Sequence, residues 1–230
     1  LPTYQLDRSK LDAHLLQTAV EMGCELWRPA SVRDFTLAGI GNNQLTLKRD
    51  GIEHQVHSKW VVDASGKAAH LARKLGHLRK LDCHKTNAIW ARFKNVSDLD
   101  NPDLKERFPK FADAVRCPRS QATNHLMGHG WWSWIIPLQN GEVSAGLTYD
   151  SELFTPPEGT SLTQRLHKHL LSHPIGKEMF ADALPVEKDT RSYSNLAYYS
   201  TKPADSGWIC VGDAAGFIDV AIRTDKSKVV

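Results

Sequence analysis

The sequence predicts an α/β protein in which the middle of the chain forms a mostly antiparallel sheet. Apolar residues recur at helical spacing over 9–22, and Gly23 follows them as a stop signal. Three runs with strand character indicate neighbouring strands over 122–127, 131–138 and 142–149. Helical and strand-like segments alternate along the rest of the chain, which is typical of the mixed α/β class.

The other elements follow in chain order. Short apolar runs separated by turn residues predict a small antiparallel meander that ends in an apolar strand. Its expected strands cover 25–27, 32–37, 44–49, 53–57 and 59–62. Later patterns predict helices at 68–75 and 162–171 and strands at 88–96, 186–197 and 208–211. The stretch 97–119 mixes charge and proline without a clear period.

Composition narrows the class of partner. The formal net charge of +3 is spread over 230 residues, so no basic run is present that would bind nucleic acid. No apolar stretch has the length needed to span a bilayer, and no membrane partner is expected. The 4 cysteines are scattered without a C-x-x-C pair, which favours a reduced, cytoplasmic protein. Because the chain starts at Leu1 without an initiator methionine, we expect its N-terminus to be a cut edge.

The first candidate site is a turn of small residues that follows the apolar run 208–211. It comprises Gly212, Asp213, Ala214, Ala215 and Gly216. Missing side chains after a strand let the backbone approach a bulky ligand, and a helix that followed would point its N-terminal amides at a phosphate. Asp213 would accept a hydrogen bond from a sugar-type hydroxyl. A tight turn capped by Asp213 explains the same pattern, and both interpretations stay open.

A second turn follows the apolar run that ends at Val62. This turn comprises Asp63, Ala64, Ser65 and Gly66, and a predicted helix follows it. The structural interpretation is a capped junction, in which Asp63 or Ser65 satisfies free amides and Gly66 adopts an unusual dihedral. The functional interpretation is a polar loop near the same ligand.

The third feature is a pair of tryptophans in the predicted strand 131–138. Trp132 and Trp134 are two residues apart, so both indoles lie on one face of a strand, and Ile136 and Pro137 follow them. Core packing is the usual role of such rings. Two rings on one face followed by a proline also form a rigid wall suited to shaping a cavity.

Together these segments resemble the flavin-dependent halogenase branch of the class A FAD monooxygenases. Residues 212–219 look like the second FAD fingerprint of that group, 63–66 resemble its Asp-Ala-Ser-Gly turn, and 132–137 match its Trp-x-Trp-x-Ile-Pro signature. The order along the chain agrees as well. The resemblance implies an incomplete FAD-binding fold of the p-hydroxybenzoate-hydroxylase type, with an inserted, mostly antiparallel substrate-side sheet.

The resemblance also implies domains and residue roles. It assigns 1–81 to a partial FAD-binding domain, 82–195 to a substrate-binding domain and 196–230 to a truncated return to the FAD-binding domain. The implied cofactor-binding residues are Gly212, Asp213, Ala214, Ala215, Gly216, Asp63 and Gly66. The residues that would keep the substrate away from the flavin are Trp132, Trp134, Ile136 and Pro137.

The implied activity is halogenation of a small aromatic or phenolic substrate. FAD would arrive as FADH2 from a separate flavin reductase and form a flavin hydroperoxide with oxygen, which a halide ion attacks to give hypohalous acid. One alternative is an FAD-dependent hydroxylase or prenyl-reductase-like oxidoreductase on the same scaffold. Another is a truncated, non-catalytic remnant without cofactor.

Some features depart from the resemblance. No Gly-x-Gly-x-x-Gly turn occurs, and the lysine that the family is thought to use would fall before Leu1, so no catalytic residue is assigned. After Asp219 the sequence no longer resembles the family's flavin-covering loop, which a truncated or shifted reading frame would explain. His169 and His173 are one helical turn apart without a third ligand, so we expect surface or capping roles and no metal.

Overall fold

The computed structural model describes residues 5–113 and 117–219. The α-helices in this part of the chain are α1 (Arg8–Glu21), α2 (His70–Lys74), α3 (Pro102–Arg107), α4 (Pro109–Asp113), α5 (Leu162–Ser172) and α6 (Pro174–Phe180). The strands are β1 (Ala30–Thr36), β2 (Asn43–Arg49), β3 (Ile52–Ser58), β4 (Val61–Asp63), β5 (Leu78–Lys80), β6 (Thr86–Lys94), β7 (Asn124–Gly128), β8 (Trp131–Pro137), β9 (Val143–Asp150), β10 (Leu184–Pro185), β11 (Arg191–Tyr193), β12 (Tyr198–Ser200), β13 (Ala204–Asp205), β14 (Trp208–Cys210) and β15 (Gly216–Phe217). Single turns of 3₁₀-helix lie at Gly66–Ala68, Arg119–Gln121 and Gly212–Ala214.

The chain divides into two compact units. Of the described residues, unit 1 contains 5–11, 83–113, 117–196 and 219, and unit 2 contains 12–82 and 197–218. The expectations about Leu1 and about the sequence after Asp219 concern residues 1–4 and 220–230, which lie outside the described residues. Within the described ranges, every helix is too short or too polar to cross a lipid bilayer.

Unit 2 is built from three small sheets. Strands β1, β2 and β3 form the expected antiparallel meander, but β4 leaves it and pairs in parallel with β14. In this pairing Asp63 lies opposite Cys210. The third sheet has the order β15-β12-β5. A small core packs residues of α2, β12 and β14 together, and it buries Leu71, Tyr198 and Trp208.

Unit 1 is a six-stranded antiparallel sheet with the order β10-β6-β9-β8-β7, in which β11 also pairs with β6. The neighbouring strands predicted for the middle of the chain are confirmed as β7, β8 and β9. One face of the sheet buries Phe93, Ile135 and Leu147 against Leu166 of α5 and Phe180 of α6. The large helix-covered core is therefore on one side, and the opposite face carries the paired tryptophans.

Several predicted elements differ in detail. Residues 25–27 form no strand, and the strand expected over 186–197 is reduced to β11, because Lys188 and Asn195 adopt left-handed backbone conformations (φ 58° and 53°) that interrupt it. The helix expected over 68–75 is broken at Ala69 (φ 43°). Short helices in 97–119 and after 173 were not predicted, since they begin at prolines and are too brief to show a period.

Candidate functional site

The two small-residue turns lie side by side in unit 2. They follow β4 and β14, which are adjacent and parallel, so both strands end at the same edge of the sheet. The Val211 amide donates a hydrogen bond to the Asp63 carbonyl at 2.9 Å, which fixes one turn to the other. Carboxyl ends of adjacent parallel strands are a common location for ligand-binding loops. Segments almost 150 residues apart in the chain thus form one surface.

The Gly212 turn exposes its backbone and the Asp213 side chain to solvent. Gly212 has φ +56°, and a Cβ there would meet no atom within 4 Å. The Asp213 side chain is exposed, and its carboxylate makes no hydrogen bond to any described residue, whereas its carbonyl accepts one from the Tyr198 hydroxyl at 2.8 Å. Within the described residues, which end at 219, Gly212–Ala214 forms one 3₁₀ turn that leads into β15 and not into an α-helix. The helix whose N-terminal amides would face a phosphate is thus not found between 212 and 219, and that interpretation stays a prediction.

The other small residues of this turn serve packing. Ala214 is completely buried in the unit 2 core. A Cβ on Gly216 would lie 3.0 Å from the carbonyl oxygen of Tyr198, so Gly216 is needed for close approach to β12. Of the two glycines, only Gly212 faces open space with a backbone that favours glycine.

The Asp63 carboxylate is committed to its own turn. One oxygen accepts the Ser65 amide at 2.9 Å and the other accepts the Leu71 amide at 2.7 Å. Burial opposes ionisation of this side chain, but the hydrogen bonds from Ser65 and Leu71 outweigh it and lower the pKa of Asp63. Asp63 therefore organises the loop between β4 and α2, in which Gly66 adopts a left-handed backbone conformation (φ +60°).

An open cavity of about 490 Å³ adjoins the Asp63 turn. Its wall is mainly apolar, with Val32 and Phe35 from the meander, Val61 from β4, and Leu71 from α2. Asp63, Ala64 and Ser65 line this cavity themselves, so a ligand bound at the Asp63 turn has apolar surface beside it.

In unit 1, the tryptophan strand presents different chemistry on its two faces. Trp132, Trp134 and Ile136 are half-buried on one side, whereas Ser133 and Ile135 are fully buried on the other. The two indole centroids are 5.6 Å apart with their planes tilted by 49°. Pro137 ends β8. The expected aromatic pair on one face is present.

Further groups that the sequence did not single out extend this aromatic face. Strand register places Trp90 of β6 on the same face, where it packs edge-on against Tyr193 at 5.2 Å. His125 packs edge-on against Trp132 at 5.2 Å, and the Trp132 indole N–H donates to the Asp219 carboxylate at 3.3 Å. The signal that could have revealed Trp90 is the strand alternation of β6, which places it on the opposite side from Ile89.

His169 is buried, so the expectation of a surface or capping role is wrong. Only 2% of it is exposed, and its Nε2 lies 3.0 Å from the Ser133 hydroxyl oxygen. Burial, with a smaller contribution from nearby His173, lowers the pKa of His169 to about 4. The available signal was its position three residues after Leu166, on the apolar face of α5. Among residues 5–113 and 117–219, no three His, Cys, Asp or Glu side chains are grouped to hold a metal ion.

The parallel strand pair with its two turns and the helix-backed antiparallel sheet define an incomplete FAD-binding fold. The solved structure of flavin-dependent brominase Bmp2 superposes with a TM-score of 0.74 and 29% identity, covering 94% of this chain and 50% of that one. Halogenase PltM in complex with phloroglucinol and FAD superposes with a TM-score of 0.76 at 20% identity, over 93% of this chain and 42% of that one.

The family follows from the sequence comparison. A family model described as tryptophan halogenase matches residues 2–225, and the chain belongs to this family. Its relatives include the 1H-pyrrole-2-carbonyl-[peptidyl-carrier protein] brominase of Pseudoalteromonas luteoviolacea, 29% identical over 95% of this chain and 50% of the relative. The corresponding chlorinase of Pseudomonas fluorescens is 27% identical over 94% of this chain and 46% of the relative. The chain spans about half the length of these curated relatives.

Proposed function

We propose that this chain carries part of the FAD site and the substrate-side sheet of a flavin-dependent halogenase that acts on a small aromatic substrate. The domains in this proposal are those predicted from the sequence, an FAD-binding domain at 1–81 and 196–230 and a substrate-binding domain at 82–195. The division into two units supports them, although 5–11 and Asp219 group with unit 1. The observation that carries the proposal is the junction of the Gly212 and Asp63 turns at one edge of parallel strands, in a chain of this family.

The turn surface suits FAD in two respects. Gly212 leaves its backbone accessible, since no side chain blocks it and a Cβ would have room around it. The exposed Asp213 carboxylate suits a ribityl hydroxyl, because an ionised acid accepts strong hydrogen bonds from O–H groups. Asp63, Gly66, Ala214, Ala215 and Gly216 act through the shape of the turns. Bound FAD, delivered in reduced form by a separate flavin reductase, would supply the electrons that activate oxygen for halide oxidation.

The tryptophan wall has a steric role in this proposal. Trp132 and Trp134, followed by Ile136 and Pro137, are bulky, rigid and without acid or base chemistry. They exclude the organic substrate from the cofactor, while a small species made from halide passes. Aromatic substrates, including the pyrrole class acted on by the brominase and chlorinase relatives, fit an aromatic face. Exposed free cysteines such as Cys24 and Cys83 suit a reducing cytoplasm.

The first experiment measures cofactor binding. Purified chain is titrated with FAD and followed by the visible absorption bands and the flavin fluorescence. We expect saturable binding with shifted bands in the wild type and at least tenfold weaker binding in Asp213→Asn. Asp82→Asn, which changes another exposed acid of unit 2, is the matched control and should bind as the wild type does. Absence of saturable binding would support the remnant hypothesis instead.

The second experiment measures the reaction class. The chain is joined to the segments of the Pseudoalteromonas luteoviolacea relative that it does not cover. The product is incubated with FAD, a flavin reductase, NADH, bromide or chloride and a panel of phenols, indoles and pyrroles, and products are identified by mass spectrometry. Halogenated product that disappears without halide supports the proposal. Hydroxylated product with no halogenated product would favour the hydroxylase.

A further inference from the structure

On the face of β8 opposite Trp132 and Trp134, one polar pair lies within the apolar core. Ser133 lies between Trp132 and Trp134 in sequence and points to the opposite face of β8. It is fully buried, and its hydroxyl contacts His169 Nε2 at 3.0 Å. A buried hydroxyl without a partner costs free energy, and two apolar residues of similar shape would pack here without that risk. The pair therefore calls for an explanation beyond core filling.

His169 contacts both neighbours of Trp132. Its ring packs edge-on against the Trp131 ring at a centroid distance of 4.5 Å, while its Nε2 holds Ser133. Phe154 packs against the same imidazole at 5.4 Å and confines it. The direction of a strand side chain is set by the backbone on either side of it. Because one imidazole restrains residues 131 and 133, it restrains the direction in which the Trp132 indole leaves the strand.

The protonation state of His169 fits this restraint. The low pKa of His169, about 4, keeps the ring neutral near neutral pH. Its Nδ1 is buried and has no hydrogen-bond partner among the described residues. In either neutral tautomer the ring and the hydroxyl share one hydrogen bond, with the Nε2–H donating to the Ser133 oxygen or the Ser133 O–H donating to Nε2. The neutral ring therefore links α5 to β8 through a single hydrogen bond.

We infer that His169 is a positioning residue for the tryptophan wall: through Ser133 and Trp131 it sets the orientation of Trp132 and, one residue beyond Ser133, of Trp134. The consequence for halogenation rests on the proposed function, but the orientation itself does not. If the pair only filled space, an apolar replacement would leave the indoles where they are. If it positions them, loss of the directional bond will move them although the core stays filled.

The test follows the indole N–H signals of the chain without cofactor by ¹H–¹⁵N NMR, assigned with Trp132→Phe and Trp134→Phe. We expect Ser133→Ala and His169→Leu to shift or broaden the Trp132 and Trp134 signals. His169→Gln should restore them towards their wild-type positions, because its amide N–H can donate to Ser133. Ser151→Ala removes a hydroxyl of unit 1 that bonds the Lys85 carbonyl, and it should change neither signal.

Wild-type positions for both indole signals in folded Ser133→Ala and His169→Leu would overturn the inference. Should the variants fail to fold, the imidazole ¹⁵N shifts of wild-type His169 still decide the matter. An Nε2 signal displaced by hydrogen bonding at pH 7 supports the bond to Ser133, and the signal of an unbonded Nε2 contradicts it. Since no readout requires FAD, a chain that binds no FAD would refute the proposed function and leave this test intact.

Discussion

The indole of Trp134 lies directly on the backbone of Gly146. The two residues face each other across β8 and β9, and a Cβ built on Gly146 would come within 2.1 Å of Trp134 Cζ2. No real Cβ tolerates that distance, so this glycine is required by a side chain on the neighbouring strand and not by its own backbone dihedrals. The position of one ring of the tryptophan wall therefore depends on the absence of a methyl group opposite it.

Replacing Gly146 by alanine should displace Trp134. We expect a loss of about 1–3 kcal/mol in the free energy of unfolding, as for other overpacked sites. The Trp134 indole signal should move, which NMR or tryptophan fluorescence can detect. Ser144→Ala, two residues away on the same face of β9, adds no volume and serves as the control. An unchanged Trp134 signal in Gly146→Ala would contradict the packing described here.

His169 should make the stability of unit 1 depend on pH. Its pKa is about 4 in the folded chain against 6.5 for the ordinary side chain, so between these values the unfolded state binds more protons. Stability from this group is then fully present above pH 6.5 and is lost as the pH falls towards 4. The loss amounts to about 3 kcal/mol by pH 4.

Urea unfolding of the wild type and of His169→Gln between pH 4.5 and 7 measures this contribution. The variant should show a shallower decline, since other titrating groups such as His125 and His173 are common to both proteins. Parallel curves for the two proteins would show that His169 is not the group responsible.

Asp63 and Asp213 should behave oppositely when changed to asparagine. Asp63→Asn replaces one acceptor oxygen by an NH2 group facing a backbone N–H, so we expect a loss of about 1–3 kcal/mol in stability. Asp213 is exposed, and Asp213→Asn should change stability by less than about 0.5 kcal/mol while weakening FAD binding. Thermal unfolding and FAD titration of both variants give the comparison. Equal stability of the two would contradict the structural role of Asp63.

Gly212→Ala tests the backbone approach at the first turn. Alanine at φ +56° costs about 1 kcal/mol, and its methyl group would stand on the surface where we propose that FAD binds. The control is Gly141→Ala, which introduces alanine at φ +78°, also with no neighbour within 4 Å. It matches the backbone strain of Gly212→Ala but lies outside the Gly212 turn. FAD affinity should fall in Gly212→Ala alone. A fall of equal size in both would point to general destabilisation.

The sequence by itself determined what depends on neighbours in the chain. Strand alternation gave β7, β8 and β9 and the shared face of Trp132 and Trp134, because side-chain direction repeats every two residues. The composition of 212–216 and 63–66 identified two turns, and the Trp-x-Trp-x-Ile-Pro pattern indicated the family that the comparison then confirmed. The roles of these residues with FAD, and the domain assignments, stay predictions.

Only the tertiary structure decided which distant groups meet. The parallel pairing of β4 with β14, the two amides that occupy the Asp63 carboxylate, and the ring over Gly146 all join residues whose partners the sequence does not name. Burial of His169 is another case, because a histidine on a helix is compatible with either face until its neighbours are known. Hydrogen bonds and close packing are made with atoms brought near by folding, so their partners are a property of the whole fold and not of local pattern.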